Sequence, residues 1–196
     1  MRGLVLGQDF TLGRNQEGNV DLLTTLSKDM NFSLTVIPQI KLNSEVISST
    51  AIRKALAGGD IKKVNSMLGR YFSLEGKVIT GTSRGMDLGF PTANLDIEPE
   101  QTLPQNGVYA TWAYIDYQRY QSVTNIGKRL TFGENERIVE VYIINFQGNL
   151  YHHALNIDII ERLRNEKIFE TVEKLKNQIE DDIKKAKFIF NHLSRE

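Results

Sequence analysis

The chain has no cysteine, four prolines and one tryptophan, and its charge has no excess of either sign, with 24 Lys and Arg against 24 Asp and Glu. The lack of cysteine excludes a disulfide framework, a thiolate zinc site and a cysteine nucleophile. The lack of net charge removes any global field toward polyphosphate backbones or anionic lipid, which argues against nucleic-acid and membrane partners. Any phosphate chemistry has to be local. No run approaches about 18 consecutive apolar residues, and the N-terminus lacks the basic-then-apolar shape of a secretory signal, so the expected location is the cytoplasm. With 40% hydrophobic residues over 196 positions, the chain has material for one core or two small ones.

Residues 1–68 alternate strand and helix signals. Gly3-Leu4-Val5-Leu6-Gly7 reads as a short buried strand directly after Met1, with no lead-in, so the chain is expected to begin inside a domain. Leu22, Leu23 and Leu26 have helical spacing, and Ser33 to Val36 reads as a second strand. Ser48-Ser49-Thr50 caps a helix over 51–57 that stops at Gly58-Gly59, and Asp60 caps another over 61–68 that stops at Gly69. From Tyr71 the pattern becomes period two, in runs over 71–79, 108–115, 120–126, 138–146 and 150–157 separated by Gly, Pro and Asn. Strands in succession predict an antiparallel barrel or sandwich, with the domain boundary near Gly69. From Phe169 onward Val172, Leu175, Ile179, Ala186 and Phe190 recur at helical steps, predicting an amphipathic helix that covers one side of it. Its Lys184, Lys185 and Lys187 read most simply as a solvated face.

Three features bear on chemistry. In the stretch 76–95, Gly81, Gly85 and Gly89 allow close backbone approach, so amide N–H groups can face phosphate oxygens. Thr92 and Asn94 flank Ala93 and point the same way if the segment is extended, offering a hydroxyl and an amide oxygen to a hard cation such as Mg²⁺. The alternative is a long hairpin loop ending in a turn, and the spacing is neither a dinucleotide fingerprint nor a Walker A loop. Second, Glu140 shares its side of a strand with Ile138, Tyr142 and Ile144, an apolar setting that raises a carboxyl pKa and suits a proton acceptor; a salt bridge or an exposed rim is the competing reading. Third, Arg164 and Lys167 are placed to meet an anion and Phe169 to stack on a flat ring, although the same residues also read as an ordinary charged junction. His152 and His153 are adjacent in a run read as a strand, so they point apart and are assigned no metal.

The segment Gly89-Phe90-Pro91-Thr92-Ala93-Asn94-Leu95 resembles the metal motif of the prokaryotic bifunctional riboflavin kinase/FMN adenylyltransferase family, the FAD synthetases. Gly7-Gln8-Asp9-Phe10, Ile47 to Arg53, Leu68-Gly69-Arg70, Gly107 to Ala110, Asn125-Ile126-Gly127 and Leu163-Arg164 support it in the right order. The resemblance implies an α+β chain. Residues 1–68 would be an incomplete α/β nucleotidyltransferase-like segment. Residues 69–196 would be a riboflavin kinase domain, a six-stranded antiparallel Greek-key barrel with a C-terminal helix. It implies transfer of the ATP γ-phosphoryl group to the 5′-hydroxyl of riboflavin, giving FMN. Glu140 would be the base and Thr92 and Asn94 the Mg²⁺ ligands. ATP would lie against Gly81, Arg84, Gly85, Gly89, Ile143, Asn145 and Tyr151, and the flavin against Arg164, Lys167 and Phe169. Met86 stands where the family usually has Arg or Lys, with Arg84 as the substitute charge. Ser48, Ser49, Thr50 and Arg53 would be the remains of the adenylyltransferase phosphate site. Because that activity needs a His-x-Gly-His motif upstream of these residues, FAD synthesis is expected to be absent or very weak. The competing class is a non-catalytic flavin- or nucleotide-binding module on the same barrel; an oligonucleotide-binding barrel is a distant third.

Overall fold

The computed structural model describes residues 2–81, 84–128 and 137–193, without the side chains of Arg84 and Asp87. The chain divides into two compact units, Met1–Ser48 and Ser49–Glu196.

In the first unit, β1 (Gly3–Gly7) pairs in parallel with β2 (Ser33–Ile37), and α1 (Val20–Asp29) connects them. Asn19 caps α1 by accepting the Leu22 amide at 3.0 Å. A short hairpin of β3 (Lys41–Leu42) and β4 (Glu45–Val46) turns at Asn43-Ser44, both at positive φ, as a two-residue primed turn requires. The expectation that the first strand is buried holds for Leu6, 5% exposed, and fails for its neighbour Val5, 63% exposed.

The second unit opens with α2 (Ser49–Ala57) and α3 (Ile61–Leu68), followed by β5 (Phe72–Ile79), α4 (Arg84–Asp87), β6 (Ala93–Ile97), β7 (Gly107–Ile115), β8 (Gln118–Lys128), β9 (Arg137–Ile143), β10 (Ala154–Arg164) and α5 (Val172–Leu193). The strands close a barrel in the order β10-β5-β6-β9-β8-β7, and every pair is antiparallel. The hairpin-connected β7, β8 and β9, with β10 returning beside β7, form a Greek key.

Strand alternation sorts side chains to two sides. Leu74, Val78, Leu95, Tyr109, Ile126, Val139, Val141 and Ile157 fill the interior. Within it, Thr111 Oγ1 lies 2.7 Å from both Ser122 Oγ and Thr124 Oγ1, so three fully buried hydroxyls satisfy one another. Val108, Trp112, Val123 and Ile160 face outward and are covered by Ala186 and Phe190 of α5, with the rings of Trp112 and Phe190 4.2 Å apart. Lys184, Lys185 and Lys187 lie on the exposed side of α5, as its amphipathic pattern predicts.

Several boundaries differ from those read in the sequence. The compact units part at Ser48/Ser49, and α2 and α3 pack with the barrel. Ala55, Leu56, Ile61 and Val64 join its core. Asn65 donates to the Ile159 carbonyl at 3.0 Å and accepts the Phe72 amide at 2.8 Å, tying α3 to β10 and β5. Capping residues mark where a helix starts and stops, not which body it packs on. The last barrel strand runs over 154–164 rather than 150–157, and Tyr151, His152 and His153 lie exposed in the turn before it, with His152 at φ +69°. Likewise β9 ends at Ile143, ahead of Asn145 at φ +60°.

Candidate active site

Strand pairing sets the chemistry in one row. The Cα partners run Ile79–Asn94–Glu140–Asn125–Val108–Arg164 across β5, β6, β9, β8, β7 and β10. The interior residues Leu95, Val139, Val141 and Ile126 alternate with them, so Asn94, Glu140, Asn125 and Val108 face outward. At about 4.8 Å per strand, the path from Asn94 to Arg164 covers roughly 19 Å along the sheet.

A cleft of about 420 Å³ opens over this row and is walled on its far side by Leu175, Ile179 and Asp182 of α5. That volume suits a small organic molecule. Thr92, Asn94, Glu140, Arg164, Lys167, Phe169 and Gly85 all line it, so the three features that were separate in the sequence meet in one place. Phe90 and Tyr142 both line the cleft, with their rings edge-on at 5.6 Å between centroids. Glu140 is half-buried, and its Oε2 accepts a hydrogen bond from Asn125 Nδ2 at 3.3 Å.

The glycines have a steric purpose. A methyl group on Gly81 would run into the Asn94 side-chain amide, and one on Gly85 would lie 2.5 Å from the Phe90 carbonyl oxygen and 3.1 Å from Thr92 Oγ1. The loop is therefore folded directly against the two candidate metal ligands. Gly89 is needed for its conformation, φ +84°, at the turn closed by its amide on the Met86 carbonyl. Thr82, Ser83 and the Arg84 side chain lie outside the described residues. Met86 is exposed on α4.

Other expected site residues are placed differently. Ile143 points into the barrel core, and Asn145 and Tyr151 lie exposed in the turn after β9 rather than in the cleft. The cause is register: Ile143 is an odd step from Glu140 and so takes the opposite face. Arg164 is already paired. Its Nε donates to Asp182 at 2.8 and 3.1 Å, its Nη1 donates to the Asn165 carbonyl at 3.0 Å, and its guanidinium lies 5.7 Å from the centre of the Phe169 ring. With side chains 12% and 2% exposed, this is a buried ion pair, and Gln178 adds a 3.0 Å hydrogen bond to Asp182. The charge expected to meet an anion is neutralised in place. Ser48 ends the first unit, whereas Ser49, Thr50 and Arg53 are exposed on α2 of the second.

Sequence reasoning assigned no role in the site to Asn125, Glu166 or Asp182. Glu166 lines the cleft, accepts from Asn106 Nδ2 at 3.3 Å, and packs so closely on Gly127 that a side chain there would collide with it. For Asp182 a signal was present, since it interrupts the apolar stripe between Ile179 and Ala186 at helical spacing.

No group of three or more His, Cys, Asp and Glu side chains suited to a metal occurs among the described residues. The Thr92 hydroxyl and the Asn94 amide oxygen instead fit Mg²⁺, which takes few protein ligands and fills the remainder with phosphate oxygen and water.

The bifunctional riboflavin kinase/FMN adenylyltransferase of Haemophilus influenzae is 35% identical over 189 residues, spanning 96% of this chain and 61% of that protein. The protein of the same description from Bacillus subtilis is 34% identical over 196 residues, spanning 97% and 61%. A crystal structure described as a macrolide-efflux protein from Streptococcus pneumoniae superposes with a TM-score of 0.83 at 29% identity, over 92% of this chain and 58% of that one. The chain thus spans about three-fifths of the length of the relatives it matches. Residues 1–51 match the FAD synthetase family model. Residues 68–190, more than half the chain and the whole of the barrel with most of α5, match the riboflavin kinase model, and the chain belongs to the riboflavin kinase family.

Proposed function

We propose that this chain is an ATP-dependent riboflavin kinase, moving the γ-phosphoryl group of ATP to the ribityl 5′-hydroxyl of riboflavin. The observation that supports it most is the pairing of Asn94 with Glu140 on adjacent strands under one cleft, a metal ligand beside a proton acceptor. In the reaction the 5′-oxygen forms a bond to phosphorus, the bond from phosphorus to the bridging oxygen of ADP breaks, and Glu140 receives the hydroxyl proton. Thr92 and Asn94 would hold Mg²⁺, which would supply charge neutralisation on the nucleotide phosphates. The remaining work is alignment. Gly85 would approach the phosphates, and the aromatic and apolar lining of Phe90, Tyr142, Phe169, Leu175 and Ile179 would take the flavin ring, with its polyol chain reaching toward Glu140.

The test is incubation with riboflavin, ATP and Mg²⁺ followed by separation of the flavins. FMN is the expected product. Glu140→Gln, which keeps shape and loses basicity, is expected to retain ATP binding and lose roughly 10²- to 10⁴-fold in turnover, about 3 to 5 kcal/mol of barrier. Turnover at the wild-type rate in that variant refutes the assignment of the base, and flavin binding without FMN from the wild type favours a binding module instead.

A further inference from the structure

An ionised carboxylate only accepts hydrogen bonds, so the 3.3 Å contact between Asn125 and Glu140 has one polarity: the amide nitrogen donates and Oε2 accepts. The contact follows from register. Asn125 and Glu140 are Cα partners on β8 and β9, both are half-buried, and both line the cleft. Glu140 has flexible side-chain torsions, and on its other flank stands Asn94, the candidate metal ligand. Its carboxylate therefore needs a fixed orientation if one oxygen is to face the substrate hydroxyl.

We propose that Asn125 is a positioning residue for phosphoryl transfer. Its side-chain N–H pins Oε2 of Glu140, so that Oε1 is the oxygen that receives the proton. This rests on the reading of Glu140 as the base. It makes Asn125 part of the machinery, although Asn125 takes no proton itself, and gives a function to the Asn in Asn125-Ile126-Gly127. Gly127 in the same segment makes room for Glu166, so the end of β8 supports the cleft on both sides.

The experiment measures FMN formation by the whole chain in wild type, Asn125→Ala, Asn125→Asp, Glu140→Gln and the Asn125→Ala/Glu140→Gln double variant, with a melting curve for each. Asn125→Ala is expected to lower kcat about tenfold, with KM for riboflavin and ATP within about twofold of wild type. Asn125→Asp, of nearly the same shape, offers no donor and adds a like charge, and is expected to lose more than Asn125→Ala. In the Glu140→Gln background the Asn125→Ala change should cost nothing further. Should Asn125→Ala not fold, Asn125→Asp carries the comparison against wild type and Glu140→Gln. A raised KM with unchanged kcat, an additive loss in the double variant, or Asn125→Asp as active as wild type overturns the inference. If wild type and Glu140→Gln behave as proposed while the Asn125 variants do not, this inference alone fails. If the wild type makes no FMN, the reading of Glu140 fails and this one with it.

Discussion

Gly81 and Asn94 are in direct contact: the Cα of the glycine faces the Asn94 side-chain amide with no space for even a methyl group between them. Gly81 and the Thr92–Asn94 segment are thus packed against each other rather than merely near in sequence.

Gly81→Ala should displace the Asn94 amide. The expected result is a loss of about tenfold in kcat/KM for ATP, about 1.4 kcal/mol, with little change in melting temperature. Steady-state rates at varied ATP check it. Gly89→Ala is the contrasting control. At φ +84° with nothing within 4 Å, it should cost about 1 kcal/mol of backbone strain and leave the Asn94 contact untouched.

Asn94→Ala should raise the Mg²⁺ concentration needed for half-maximal FMN formation several-fold, because one of the two proposed protein ligands would be gone. Titrating Mg²⁺ at fixed ATP measures it, and a Mg²⁺ dependence unchanged from wild type would remove Asn94 from the metal site.

Asp182→Ala leaves the Arg164 guanidinium, only 12% exposed, without its carboxylate. Removing one member of a buried ion pair costs about 3 to 5 kcal/mol, so the melting temperature should fall by roughly 10 to 20 °C. A paired Arg164→Met/Asp182→Leu change should recover most of that stability, since the apolar replacement leaves no unpaired charge. Its flavin binding then tells whether the guanidinium touches the ring. Thermal denaturation of the wild type and the two variants decides the matter.

Tyr114 titrates at about 12 rather than 10.0, first because of its burial and then because its hydroxyl donates to Asp158 Oδ2 at 2.7 Å beside that carboxylate's charge. A proton held more tightly in the folded state stabilises it fully below the unfolded value. That contribution declines as pH rises from about 10 through 12. Melting curves between pH 9 and 12 should show an alkaline loss in wild type that is smaller in Tyr114→Phe.

Much of the barrel was legible because its interior strands alternate strictly: Val139, Val141 and Ile143 on β9 can only be one face of a sheet. The helix of 61–68 was legible from its caps, and Asp60 does accept the Lys63 amide while Gly69 takes a left-handed conformation. Strand β6 was less visible, being five residues long and starting inside the metal motif. The last strand was displaced because Glu161, Arg162 and Arg164 at its C-terminal end are charged and period two gives no reason to extend it. Within the site, the types of Thr92, Asn94 and Glu140 suggest the chemistry proposed for them. The partners Asn125 and Asp182 depend on register and on where α5 docks, which only the closed fold determines. The face taken by Ile143 was not legible for a related reason: a family pattern names positions without stating which face each occupies.

The site lies on the outside of a barrel whose inside is solid, so along β9 the two duties interleave residue by residue. Substitutions scanned from Ile138 to Ile143 should therefore fall into two series. Changes at Val139, Val141 and Ile143 would register as lost thermal resistance, and changes at Ile138, Glu140 and Tyr142 as altered turnover. Drift in one series leaves the other nearly untouched, and a strand of this kind can retune its chemistry without renegotiating its fold.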